Sequence, residues 1–161
     1  MQYSCGMIDI DTTDRRLLDL LQTDASLTNQ ALAERAGISP ATCLRRVRRL
    51  VEAGVIERQI AIVAPHALGT RLTAILEVTL DAQSAEALAA FEAQVAPEPS
   101  VQQCYHVSTG PDFVLVVLVA DMVAYHDFAH RVLTAAANVR NVRAFFVVKR
   151  SKFEPRVPPL A

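Results

Sequence analysis

The sequence predicts an α+β protein of two domains, a winged helix-turn-helix followed by a ferredoxin-like sheet domain. Two short helices with clear start signals meet at a glycine at residue 37, and the second helix is rich in arginine. From residue 71 onward, segments of strand period and of helical period follow one another in the order βαββαβ. Hydrophobic residues make up 52% of the 161 residues, which is typical of a folded chain.

The segment from Ser39 to Leu50 predicts a DNA recognition helix. The Ser39 hydroxyl can cap the helix, and Pro40 suits the first helical position, where a missing N–H has no cost. At about 100° per residue, apolar side chains gather on one arc and small and cationic ones on the other. The arc that we expect to pack against the domain comprises Cys43, Leu44, Val47, Leu50 and Val51.

A helix directly upstream completes the motif. Residues 28–36 predict a short helix that Thr28 caps and Gly37 ends. Four arginines within five residues are by themselves more typical of a solvated helix face. Two helices joined by a glycine turn, however, form a helix-turn-helix, whose second helix enters the major groove. The residues that we expect to contact double-stranded DNA are Ser39, Ala41, Thr42, Arg45, Arg46 and Arg49.

Turn residues and start signals organise the rest of the first domain. Residues 1–10 have no period and predict a flexible lead-in, whereas Asp11 and Asp14 predict the start of a first helix. The β-branched residues of 55–63 predict the strand of a wing. We therefore expect a DNA-binding domain at 11–63, a linker at 64–70, a ferredoxin-like domain at 71–152 and a tail at 153–161.

The ferredoxin-like domain is predicted as four strands and two helices. The strands are expected at 72–80, 101–107, 113–119 and 142–148, and the helices at 85–95 and 123–136. Every residue of 113–119 is apolar, so both faces of this strand need cover. The helices cover one face, and the sheet of a second copy would cover the other. The sequence therefore predicts a homodimer.

Charge and cysteine content indicate the binding partners of the two domains and the state of the thiols. The net charge is −1, yet residues 37–58 carry five arginines against two glutamates, whereas residues 71–150 have six basic and eight acidic residues. This asymmetry predicts different partners for the two domains. Three cysteines without C-x-x-C spacing predict free thiols. With neither a membrane-spanning segment nor a signal-peptide pattern, the expected location is the cytoplasm.

No pattern of enzymatic chemistry is evident. Cys104 and His106 share one face of a strand, which is typical of a core cysteine beside a hydrogen-bonded histidine. His126 and His130 share a helical face, but the glutamate of a zinc-protease motif and a third ligand are missing. We therefore expect no enzyme, no catalytic residue, no metal site and no cofactor.

Motifs in both halves resemble the Lrp/AsnC family, the leucine-responsive and asparagine-responsive regulators of bacteria and archaea. The matching motifs are Asp11-x-x-Asp14-x-x-Leu17-Leu18, Ile38-Ser39-Pro40-x-x-Cys43-Leu44-x-Arg46-Val47-x-x-Leu50, Gly54-x-Ile56, Cys104-x-x-Val107-Ser108-x-Gly110, Asp112-Phe113-x-Leu115, Asp121-Met122-x-x-Tyr125 and Phe146-Val147-Val148. The resemblance covers about residues 10–152. It implies a transcriptional regulator whose dimers assemble to tetramers or octamers and bind small amino acids between dimers. Two recognition helices in a dimer would read a palindromic operator.

The resemblance also implies an effector site around the loop 108–112. Backbone N–H groups near Thr109 and Gly110 can hold the carboxylate of an amino acid, and Asp112 its ammonium group. Where family members commonly read Gly-x-x-Asp, this chain has one residue fewer and a proline. A DNA-binding architectural or oligomerisation protein without an effector is therefore the alternative hypothesis. The residues expected around a small, apolar amino acid are Val107, Ser108, Thr109, Gly110, Asp112, Met122, Phe146 and Val148.

Overall fold

A computed structural model describes residues 8–69, 71–134 and 138–158. Most of the predicted lead-in 1–10, the end of the predicted helix 123–136 and the end of the tail therefore lie outside the described residues. The chain forms two compact units: the first consists of the residues up to Ile62 together with those from Lys152 onward, and the second is Val63–Ser151. Within the described ranges, no helix is both long enough and apolar enough to cross a membrane.

The first unit is built from α1 (Thr12–Thr23), α2 (Asn29–Ala36) and α3 (Pro40–Glu52). Asp11, Thr28 and Ser39 cap the three helices, as the sequence predicts, because each side chain accepts a hydrogen bond from a backbone N–H of the first turn. The helices pack around a small hydrophobic cluster, whose buried members are Leu17, Leu32, Ala33, Ala36 and Cys43.

The predicted wing strand at 55–63 is wrong for this structure. No strand is assigned to these residues, and none of the described strands pairs with them. Ile60 and Ile62 are exposed. β-Branched composition favours an extended backbone, but a strand also needs a neighbour for its N–H and C=O groups. A short 3₁₀ turn at Pro65–Leu68 follows, inside the predicted linker.

The residues after 151 return to the first unit. The side chain of Gln22 accepts a hydrogen bond from the backbone N of Val157 at 2.7 Å and donates one to its carbonyl at 3.3 Å. Arg156 forms an ion pair with Asp19 of α1. The sequence predicted only a tail here, whereas the structure fastens this segment, up to residue 158, to α1.

The second unit has the predicted βαββαβ order. Its elements are β1 (Leu72–Leu80), α4 (Ala85–Val95), β2 (Val101–His106), β3 (Phe113–Val119), α5 (Met122–Phe128) with a π-helical turn at Ala129–Thr134, and β4 (Val139–Phe146). The strands lie in the order β2-β3-β1-β4 and all pair antiparallel. This order makes the unit ferredoxin-like. β4 begins and ends earlier than the predicted strand 142–148.

Alternate residues of the sheet face the helices. Leu76, Val78, Phe113, Leu115 and Val117 are buried in one core with side chains of the helices. The residues between them point to the opposite side, which we call the open sheet face. Its apolar members include Ile75, Tyr105, Val114, Val116 and Phe145, which are neighbours in the strand register. Ile75, Tyr105 and Phe145 are exposed there.

Candidate nucleic-acid interface and ligand site

The start of α3 is fixed by hydrogen bonds to its own cap and to α2. The Ser39 hydroxyl donates to the Thr42 Oγ1 at 2.9 Å and accepts from the Thr42 backbone N at 3.3 Å. Asn29, in the first turn of α2, donates from Nδ2 to the carbonyl of Pro40 at 2.9 Å. Gly37 has a φ of 73°, a left-handed conformation that favours glycine. Hydrogen bonds therefore join the two helices of the motif at the end that would enter DNA.

The outward face of α3 differs from the arc that the sequence predicted. Leu44 and Val51, which we expected to pack inward, are 42% and 50% exposed. In contrast, Cys43 and Leu50 are fully buried and Val47 packs against the cluster. The inward face of α3 is rotated toward Arg46 and Arg49, which pair with Asp14 of α1, so the side of the helix that carries Leu44 and Val51 remains in solvent. The exposed residues of the helix surface are Pro40, Ala41, Leu44, Arg45, Arg48, Val51 and Glu52.

Two arginines of α3 face α1 and not the outer surface that the sequence predicts for them. Arg46 Nη1 lies 2.9 Å from Asp14 Oδ1 and 2.7 Å from Asp11 Oδ2. Arg49 pairs with the other oxygen of Asp14 and also reaches the carbonyl of Asp9 at 3.4 Å. The Asp14 side chain is completely buried. We call Asp14, Arg46 and Arg49 the buried ion-pair cluster.

Hydrogen bonding favours the charged forms of Asp11 and Arg46. The backbone N–H of Asp14, and then the guanidinium of Arg46, hold the pKa of Asp11 below its ordinary value. Hydrogen bonds to the Asp11 and Asp14 carboxylates raise the pKa of Arg46. Both shifts favour the charged form of the group concerned. The Nε atoms of Arg46 and Arg49 are buried, and no described residue forms a hydrogen bond with either of them.

The unpaired positive charge of α3 belongs to Arg45 and Arg48. Both are exposed, and neither has a hydrogen bond or ion pair with any residue that the structure describes. Arg48 lies at the centre of the exposed arc, although it was not among the predicted contacts. A helical wheel centred on the fully buried pair Cys43 and Leu50 would have found it, because Arg48 lies roughly opposite them.

The loop 107–112 is a tight hairpin connection. The Val107 backbone N donates to the carbonyl of Asp112 at 3.0 Å, and the Asp112 backbone N donates to the carbonyl of Val78 at 2.9 Å. The Asp112 carboxylate accepts from the Leu80 backbone N at 2.7 Å, with 9% of the residue exposed. Asp112 thus fastens the loop to the end of β1. Gly110 has a φ of 91°, so the turn requires glycine.

The eight predicted ligand residues do not form one group within a single chain. The loop 107–112 joins β1 at Val78, whereas Phe146 pairs with Ala74 toward the other end of the same strand. These two positions on β1 are about 13 Å apart at about 3.3 Å per residue. Met122 and Val148 lie beyond the Phe146 end, and both are exposed. A single small amino acid cannot span this distance within one chain.

The predicted cysteine and histidine pairs form no reactive cluster. Cys104 is half-buried against the core, and burial raises the pKa of its thiol. The His106 ring lies 5.1 Å from the ring of Phe113, and His126 and His130 are exposed. Across residues 8–69, 71–134 and 138–158, three or more metal-ligating side chains nowhere come together.

A capped helix-turn-helix in one unit and a ferredoxin-like sheet in the other define a DNA-binding regulator with a separate sensing domain. Comparison with family models agrees for each unit. Residues 10–57 match the model described as winged helix-turn-helix DNA-binding, and residues 73–157 match the Lrp/AsnC ligand binding domain. The chain belongs to the Lrp/AsnC family of transcriptional regulators, so it is a DNA-binding regulator and not an enzyme.

Relatives and solved structures cover nearly the whole chain. The leucine-responsive regulatory protein of Rhizobium meliloti is 41% identical over 145 residues, which is 90% of this chain and 93% of the relative. An AsnC family transcriptional regulator of Agrobacterium tumefaciens is 32% identical, with a TM-score of 0.84 over 92% of this chain and 96% of the other. A regulator of Neisseria meningitidis, solved as a complex with L-methionine, is 31% identical, with a TM-score of 0.85 over 93% and 97%.

Proposed function

We propose that this regulator binds a palindromic operator as a homodimer, using the outward face of α3. The observation that carries the proposal is the pair Arg45 and Arg48, two exposed cations without a partner among the described residues, on the second helix of the motif. Ser39, Ala41 and Thr42 form the cap and first turn of the same helix, where a helix-turn-helix meets base edges. In this proposal Arg46 and Arg49 position α3 through Asp14.

The open sheet face supports the homodimer. Ile75 pairs with Val116 on one side and with Phe145 on the other, so these three apolar side chains lie side by side. Ile75 and Phe145 remain exposed in the single chain. Contiguous exposed apolar surface of this kind marks protein interaction sites. A second copy supplies a complementary face by two-fold symmetry, which also gives the paired recognition helices of a palindromic site.

We further propose a small apolar amino acid as the effector, bound between dimers that assemble to tetramers or octamers. The two ends of the sheet that hold the predicted ligand residues are too far apart in one chain, so a complete site would combine the loop of one chain with Met122, Phe146 or Val148 of another. The methionine complex of the Neisseria relative and that of the feast or famine regulatory protein of Mycobacterium tuberculosis support this ligand class.

The alternative is a DNA-binding architectural protein without an effector. One observation favours it: the Asp112 carboxylate, expected to hold the ammonium group of the ligand, already accepts a backbone hydrogen bond from Leu80. Pro111 removes a backbone donor from the same loop. In the effector proposal, therefore, the exposed backbone of Thr109 and Gly110 contributes more than Asp112 does.

Two measurements on the full-length protein test the proposal. Selection from a random-sequence DNA pool should enrich a palindrome, and the Arg45→Ala, Arg48→Ala double variant should lose affinity for it. Enrichment of no sequence would refute the operator. Thermal unfolding with each of the 20 common amino acids should show a rise in midpoint with one or more apolar ones. If none raises the midpoint, the architectural alternative is favoured.

A further inference from the structure

We propose that Leu44 contacts the methyl group of a thymine in the major groove and so determines part of the operator sequence. This inference rests on the DNA-binding function proposed above and adds a residue that is not among the predicted DNA contacts. Leu44 is the fifth residue of α3, which runs from Pro40 to Glu52. It therefore lies in the N-terminal half of the helix, the half that reaches base edges in a helix-turn-helix.

The packing of the first unit does not explain Leu44. The side chain is 42% exposed and is absent from the hydrophobic cluster, which instead includes Cys43 and Val47 on either side along the helix. An exposed leucine gives up much of the stabilisation that full burial of its side chain would bring. The Leu44 side chain thus contributes little to the packing of the three helices.

The surroundings of Leu44 match the major groove. Ala41 lies one turn before it and Arg48 one turn after it, both on the exposed face, and Arg45 is the adjacent exposed residue. The patch therefore has an apolar centre with two exposed cations beside it, and these cations complement the negative potential of a duplex. No other exposed face of α3 combines these features among the described residues.

Leucine can read only one feature of a base pair edge. Its side chain has no donor or acceptor, so it cannot form the hydrogen bonds by which most bases are recognised. The C5 methyl group of thymine is the apolar group that the major groove presents, and apolar side chains contact it. Guanine and adenine offer only donors and acceptors there. The chemistry at Leu44 thus selects a thymine opposite this position.

The experiment compares thymine with deoxyuridine, which differs only by the missing methyl group. The operator is first selected with the full-length protein, and each thymine is then replaced singly by deoxyuridine. Anisotropy titrations should show about a fourfold loss of affinity at one thymine per half-site, the fold-change that corresponds to about 0.8 kcal/mol for one apolar carbon. The Leu44→Ala variant should bind the thymine and deoxyuridine versions of that site equally.

Val51→Ala is the matched control, because Val51 is similarly exposed on the same helix but lies two turns further along α3. It should keep the full thymine preference. The inference is overturned if the parent protein discriminates at no thymine, or if Leu44→Ala weakens binding while the thymine to deoxyuridine ratio stays unchanged. Failure to enrich any operator is a separate result, which would overturn the proposed DNA recognition and this inference with it.

Discussion

Replacing Asp14 by asparagine removes the charge at the centre of the buried ion-pair cluster and little else. Asparagine keeps the shape and one carbonyl oxygen, so the capping of α1 can persist. Arg49, whose side chain is 42% exposed, loses its carboxylate partner, whereas Arg46, whose side chain is 21% exposed, keeps only Asp11. Removing one partner of a buried pair typically costs about 3–5 kcal/mol. Because water reaches Arg49, we expect a value of about 3 kcal/mol, at the lower end of that range.

The assay is thermal unfolding followed by circular dichroism of the full-length chain. A loss of about 3 kcal/mol lowers the midpoint of a domain of 60–100 residues by about 12–24 °C. Asp19→Asn is the matched control on the same helix, because Asp19 forms a partly exposed pair with Arg156. Such pairs contribute about 0–1 kcal/mol. If Asp14→Asn lowers the midpoint no more than Asp19→Asn does, the cluster does not hold α3 in place and our account of it is refuted.

Charged and strained positions elsewhere in the chain give three further expectations. Single Arg45→Ala and Arg48→Ala variants should weaken binding to every DNA sequence. The slope of log K against log salt concentration should become shallower by about 0.9 for each phosphate that is no longer neutralised. An unchanged slope would show that the arginine does not contact the DNA phosphates. Gly37→Ala should cost about 1–2 kcal/mol of unfolding free energy, because its φ is 73° while no atom lies within 4 Å of the added Cβ, so only backbone strain opposes it; a neutral variant in urea titrations would contradict this. The hydrogen bond from Arg131 lowers the pKa of Glu98 below its ordinary 4.5. Glu98 therefore stabilises the fold above pH 4.5, and this stabilisation is lost as the pH falls through its folded-state pKa. Glu98→Gln should flatten the pH dependence of the unfolding free energy in that acidic range, and an unchanged pH dependence there would contradict this role of Glu98.

The sequence predicted best what is decided locally. The bounds of α4, β1 and β3 agree with the predicted segments 85–95, 72–80 and 113–119. Alternating or helical periods and a capping serine at residue 84 fix these elements within a few residues of chain. The fold class follows from their order. The same reasoning predicted the position of α3 in the chain, but it was wrong about which face of the helix packs inward.

What the sequence could not predict depends on distant residues. Whether Arg46 points to solvent or to α1 is decided by Asp14, 32 positions earlier, and an ion pair leaves no periodic signal. Residues 55–63 form no strand, because no strand among the described residues lies beside them, and composition alone does not show whether a segment will have such a neighbour. The split of the predicted ligand residues follows from strand register, since the pairing of Phe146 with Ala74 sets which end of the sheet it occupies.

The return of residues 152–158 to α1 has a consequence for how the DNA-binding unit can be made. Gln22 and Asp19 bind Val157 and Arg156, so two parts of the chain separated by the whole second unit meet in the first. During synthesis, α1 to α3 leave the ribosome long before their last packing partner exists. A fragment that stops at residue 62 therefore keeps the three helices but omits these bonds, and its melting point would understate the stability of the unit in the intact regulator.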